Sequence, residues 1–140
     1  MNVTIDLNIF LDFFLRRGEH EAALELLSLC KEKAITGFTP SHGLPTVYYL
    51  LRKNLGNEKA LHAIDYLLQF LEITPINKEL LIKARKKEFS DYEDAIVFTS
   101  ATQNNSEFIV TSNIKHFKQS EIPVVTAKFF MSEIVSKYGI

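Results

Sequence analysis

Apolar residues follow two rhythms along the chain. Val3-Thr4-Ile5 is a short β-branched run that predicts a strand ending at Asp6. From there Ile9, Phe10, Phe13 and Phe14 recur at three- and four-residue intervals, a helix stopping near Arg17-Gly18. A second amphipathic helix covers Glu19 to Lys33, with Ala22, Ala23, Leu26, Leu27 and Cys30 on its apolar face. Ala34 to Thr39 reads as a second strand. Pro40-Ser41 opens a helix that carries Tyr48 and Tyr49 into the core and ends near Asn54. Gly56 to Phe70 is a further helix, Glu72 to Thr74 a short extended piece, and Asn77 to Lys87 a basic-ended helix. Ser90 starts a helix running to about Gln103. Phe108 to Thr111 and Val124-Val125 are strands, and Thr126 caps a last helix.

Strands thus alternate with helices, and the strands are continuous apolar runs. An apolar run without alternation needs cover on both faces, so the pattern predicts an α/β fold with a parallel sheet between helices. The chain has 140 residues, enough for one domain spanning 1–140. Surface scaling has such a chain burying roughly 68% of its unfolded surface, so the core needs no staples.

Composition narrows the partners. Lys+Arg 16 nearly balances Asp+Glu 17, so no long-range field draws the whole protein to nucleic acid, and a local basic patch would have to do it. The single cysteine, Cys30, excludes an internal disulfide and a Cys-rich zinc site, and suits a reducing cytoplasm. The N-terminal stretch carries Asp6 and Asp12 within its apolar residues and has no basic start, so neither a targeting segment nor a membrane span is expected. No glycine cluster forms a G-x-G-x-x-G turn or a phosphate loop, which argues against a dinucleotide- or ATP-binding domain.

In open parallel sheets, ligands bind beyond the carboxyl ends of the strands. The polar residues there are Asp6 and Asn8, Thr39 and Ser41, then Ser112 and Asn113. Ser90 and Glu93 have capping-box spacing, and Asp91 suits a helix start. Asp94 is different. The stretch from Ala95 to Asn105 carries no charge, which predicts a buried helix, and Asp94 shares a face with Val97, Phe98 and Ala101. A carboxylate there is costly unless it is paired or meets a cation. Asp6 could simply be an N-cap, and Asp12 a solvated helix acid. His42 lies at the edge of the second strand. The basic clusters Arg16-Arg17, Arg52-Lys53, Lys83 to Lys87 and Lys115 with Lys118 suit helix C-termini, or could follow a phosphate backbone.

The opening IDLNIFLDFFLRR, the segment DYEDAIVFTSATQNNSEFIVTSNIKHF and the ending IPVVTAKFF, in that order, resemble a PIN domain of the VapC toxin type. TPSHGLPTVYYLLRK is similar to the second strand and third helix of one branch. The resemblance implies a three-layer α/β/α sandwich around a mainly parallel sheet. It also implies a cytoplasmic Mg2+- or Mn2+-dependent ribonuclease, dimeric, paired with a small antitoxin. Asp6 and Asp94 match two of the family's acids. The position of a third falls on Thr46, and that of the fourth on Asn113, with His116 where a related branch has Asp. The expected catalytic residues are therefore Asp6, Asp94 and Asn113, with Asp6 and Asp94 as metal ligands that Glu93 and Asp91 could supplement. The alternative is a PIN-like domain with a degenerate site that binds RNA or a protein partner without cleaving.

Overall fold

Val3 and Ile5 pack into one side of the sheet while Thr4, between them, is equally buried on the other. The first strand is therefore covered on both faces, as its apolar run requires. The structure is a computed structural model describing all 140 residues. Five parallel strands, β1 (Asn2–Ile5), β2 (Thr36–Pro40), β3 (Glu72–Thr74), β4 (Phe108–Val110) and β5 (Val124–Val125), lie in the order β3-β2-β1-β4-β5. The chain builds outward from β1 through β2 to β3, then returns to place β4 on β1's other side. The strand order reverses at β1, which makes the carboxyl ends of β1 and β4 the switch point where such sheets bind ligands.

Helices α1 (Leu7–Leu15), α2 (His20–Lys31), α3 (Gly43–Leu55) and α4 (Asn57–Leu68) join a final helix, α7, on one face. That last helix is made of Ala127–Phe129, a π-helical turn over Phe130–Ile134 and Val135–Lys137. Here lies the main core, including Phe10, Leu26, Leu27, Val47, Leu67 and Phe130. The other face is covered by α5 (Lys78–Arg85), α6 (Tyr92–Gln103) and a 3-10 turn, Ile114–Phe117. Val97, Phe98 and Ala101 of α6 pack there with Ile109 and Phe117, and Leu80 and Ala84 of α5 pack on Ala95 and Ile96. Every residue from Ala95 to Ala101 is buried, as the uncharged stretch predicts. Its hydroxyls are satisfied internally: Thr99 and Ser100 donate to the carbonyls of Ala95 and Ile96. The α/β/α sandwich is thus as expected. No helix is long and apolar enough to cross a membrane.

Three local expectations are corrected. Pro40-Ser41 does not open α3. Ser41 is drawn onto the neighbouring strand, its N–H donating to Thr74 O and its hydroxyl accepting from Ile76 N, so β2 runs through Pro40 and α3 begins at Gly43. Tyr48 packs partly against the core, but Tyr49 is 61% exposed. The start of α6 is capped by Asp91, not Ser90.

Gly37 shows how tightly the main core is filled. A Cβ there would lie 2.6 Å from Cys30 Sγ and 3.0 Å from Leu71 Cδ2. Gly37→Ala should therefore cost about 1–3 kcal/mol, the usual penalty of overpacking. Adding Cys30→Ala should recover part of it by removing the closest atom. Denaturant unfolding of the single and double variants measures that coupling, and a Gly37→Ala variant as stable as wild type would show that the backbone yields here.

Candidate active site

Asp6 follows β1 at the switch point and is 5% exposed. Its backbone N–H continues the pairing with β4, donating to Val110 O at 2.9 Å. The carboxylate is held on both oxygens. Oδ1 accepts from Leu7 N at 2.8 Å and so caps α1, while Oδ2 accepts from Thr111 Oγ1 at 2.8 Å and Asn8 Nδ2 at 3.2 Å. These donors pull its pKa down, but burial outweighs them and Glu93's charge adds to burial, leaving Asp6 above the usual carboxylate range.

Thr111 ties the loops together. Its Oγ1 also accepts from Asn113 N at 3.1 Å, and Asn8 Oδ1 accepts from Ser112 N at 3.1 Å. Sequence reading passes over Thr111 because a β-branched residue closing an apolar run looks like the last residue of a strand. Its hydroxyl was the available signal. Thr111→Val keeps the shape and removes the hydroxyl. It should destabilise the protein by about 1–3 kcal/mol and raise the Asp6 pKa further, since that hydrogen bond favours the charged carboxylate. Thermal unfolding and a carboxylate titration by NMR check the two effects.

Asp94 enters from the other side, in the first turn of α6. Asp91 Oδ1 accepts from the N–H groups of Glu93 and Asp94, which fixes that turn. Asp94's side chain is 14% exposed, and its Oδ2 is buried without a hydrogen-bond partner. His116 Nδ1 lies 3.5 Å from that oxygen. Burial first, then the charges of Asp91 and Asp6, push the Asp94 carboxyl up to about 6, with His116 opposing them. Asp6 and Asp94 therefore repel each other across one site.

A third wall comes from β2 and the start of α3. His42 Nε2 lies 3.9 Å from Glu93 Oε1, and both ring nitrogens are buried without partners. Burial lowers the His42 pKa, with Asp6 opposing, so the ring is neutral at pH 7. Glu93 is raised by partial burial and by Asp91. Thr39 Oγ1, at the end of β2, is also unpartnered. Apart from His20 Nδ1, every buried side-chain polar atom lacking a partner belongs to Thr39, His42 or Asp94, all at this sheet edge. Buried polar groups are normally hydrogen-bonded, and such a concentration marks a place prepared for a ligand or water.

The structure brings Asp6, Asp94, Glu93 and His42 together. Asn113 stands exposed in the loop after β4, its side chain making no hydrogen bond. Asp91 is engaged as the cap of α6. Asp12 is buried and engaged elsewhere, with Arg17 Nε 3.2 Å from its Oδ1. Thr46 turns its hydroxyl back onto His42 O at 3.4 Å. No three His, Cys, Asp or Glu side chains lie close enough together to hold a metal ion by themselves. Magnesium keeps several waters and is commonly held by one or two carboxylates plus a substrate phosphate. Asp6 and the unpartnered Asp94 oxygen match that donor set.

Comparison with known proteins bears on the family and the fold. A family model described as PIN domain matches residues 2–115. The chain is 31% identical over 134 residues to Ribonuclease VapC1 of Aquifex aeolicus (strain VF5), covering 91% of this chain and 92% of that protein. Its fold is similar to a toxin-antitoxin complex from Klebsiella pneumoniae, with a TM-score of 0.66, 22% identity and coverage of 89% of this chain and 97% of that one. It is also similar to Mycobacterium tuberculosis VapC20, described as a sarcin-ricin loop cleaving toxin, with a TM-score of 0.61, 16% identity and coverage of 76% and 86%.

Proposed function

The chain belongs to the PIN domain family, and from that premise we propose that it is a metal-dependent ribonuclease, the toxin of a toxin–antitoxin pair. The observation that carries this reading is the Asp94 carboxylate at the switch point of the sheet, repelled by Asp6 and with its buried Oδ2 lacking a hydrogen-bond partner. Similarity to a ribonuclease over nearly the whole chain supports the substrate class, and similarity in fold to a toxin–antitoxin complex supports an antitoxin partner. A second copy of the chain is the other partner in this reading. The exposed Tyr49, Leu50, Leu61 and Leu68 on α3 and α4 supply apolar surface for such contacts.

Asp6 and Asp94 would hold the ion, with Glu93 beside them and the Asn113 carbonyl oxygen within the same loop system. When bound, a Mg2+ or Mn2+ ion supplies an acidified water and charge stabilisation for phosphodiester hydrolysis. The chain's own residues do the rest. Leu7 N, Asn8 and Thr111 lock the Asp6 carboxylate in one orientation, so the site is organised before the ion arrives. Asp91 fixes the turn that aims Asp94. Neutral His42 presents ring nitrogens able to accept a hydrogen bond from a water or donate one to a phosphate oxygen.

Incubating the purified protein with RNA in Mg2+ or Mn2+, with EDTA as control, tests the reading. Cleavage that requires the ion is expected. RNA or partner binding with no cleavage in either ion would instead establish the non-cleaving alternative.

A further inference from the structure

The basic run Lys83-Ala84-Arg85-Lys86-Lys87 plays no part in the acidic site. Helix-dipole pairing explains cations at the end of α5, but not their arrangement. The run's three lysines close around one cavity of about 310 Å3 between α5 and α6, lined by Lys83, Lys86, Lys87, Thr99, Thr102 and Gln103. No acidic and no apolar side chain is among them. Two of the lysines are tethered. Lys83 Nζ lies 3.2 Å from Glu79 Oε1, and Lys87 Nζ stands 5.6 Å from the centre of the Phe98 ring. Thr99 and Thr102 donate their hydroxyl hydrogens to the Ala95 and Phe98 carbonyls, so the donors that the lining residues can still offer are the lysine ammonium groups and the Gln103 amide. Such a donor set fits an anion, and phosphate above all.

The same helix joins this cavity to the acids. At 1.5 Å per residue, Thr99 and Thr102 lie about 7.5 and 12 Å along α6 from Asp94, on the flank that faces α5. The chain's formal net charge is −1, so any grip on a polyanion must be local. Resting on the ribonuclease reading, we infer that the Lys83–Lys86–Lys87 cavity holds phosphates of the RNA strand beside the bond cleaved at Asp6 and Asp94. Non-specific phosphate contacts of this kind set position and affinity and carry no base preference.

The test is the salt dependence of binding to a short unstructured RNA, in EDTA so that nothing is cut. Wild type is compared with a Lys83→Gln, Lys86→Gln, Lys87→Gln triple variant. A control triple, Lys59→Gln, Lys128→Gln, Lys137→Gln, makes the same charge change at exposed positions outside the basic clusters. Each lost contact to a single-strand phosphate lowers the log–log slope by about 0.7, so the cavity triple should lose about two units and bind roughly tenfold or more weakly at physiological salt. In Mn2+ its KM for the same RNA should rise while cleavage of a dinucleotide is unchanged. The control triple should stay near wild type. Equal slopes for the two triples, with wild type still cleaving, would overturn the cavity inference alone. If wild type neither binds nor cleaves RNA, the ribonuclease reading falls and this inference with it.

Discussion

Asp94→Asn is expected to abolish RNA cleavage while leaving the metal-free protein at least as stable as wild type. The loss of activity should be on the order of a thousandfold or more, because several kcal/mol of transition-state stabilisation depend on a ligand carboxylate and each 1.36 kcal/mol is a factor of ten. The stability expectation comes from what Asp94 lacks. Its Oδ2 has no hydrogen-bond partner to lose, and the charge it carries is opposed by burial, Asp91 and Asp6. The pH dependence follows with a definite sign. The folded carboxyl titrates at about 6 against an ordinary value of 3.8, so the folded state holds this proton more tightly than the unfolded state. Wild-type stability should therefore fall, relative to Asp94→Asn, as pH rises through those values, and the difference should level off above about pH 7. Thermal unfolding in EDTA across that range measures it. A variant destabilised at pH 7 would mark Asp94 as a structural hub.

Asp6→Ala is expected to lose both activity and stability. Asp6 caps α1 through Leu7 N, and its removal strands the Thr111 hydroxyl and the Asn8 amide inside the cleft. A lost N-cap costs about 1 kcal/mol, and stranded buried donors about 1–3 kcal/mol. Release of a desolvated charge offsets part of this, for a net loss of about 2 kcal/mol. In a chain of this size that lowers the melting temperature by about 4–8 °C. Two acids in one site thus separate experimentally. Calorimetry on both variants should show Asp6→Ala melting well below Asp94→Asn, and equal melting temperatures would contradict the hydrogen-bond geometry around Asp6.

Much of this arrangement was legible from residue order. The uncharged stretch after Asp94 foretold a buried helix with one carboxylate at its start, and β-branched runs without alternation foretold strands covered on both faces. What escaped had a competing local solution of similar quality. Ser90 and Asp91 are both good N-caps, and only the chain path before α6 decides for Asp91. Ser41 looked like a helix opener, yet its hydroxyl is taken by Ile76 N across the sheet, a contact no local pattern contains. The role of Thr111 depends on a partner 105 residues away. His42, at a strand edge, becomes part of the site because α6 places Glu93 opposite it. Long-range pairing is the information missing from each local pattern.

The most direct test is the chemistry of the ends left on a cleaved RNA. In the proposed reaction Asp6 and Asp94 would hold an ion that activates water, and hydrolysis by that water would not use the ribose 2′-hydroxyl, so every cut should leave a simple phosphate on one fragment and a free hydroxyl on the other. Mass spectrometry of fragments made by wild type in Mn2+ should show only such ends, with no fragments from Asp94→Asn. Fragments ending in 2′,3′-cyclic phosphate, produced equally in EDTA or by Asp94→Asn, would contradict the account.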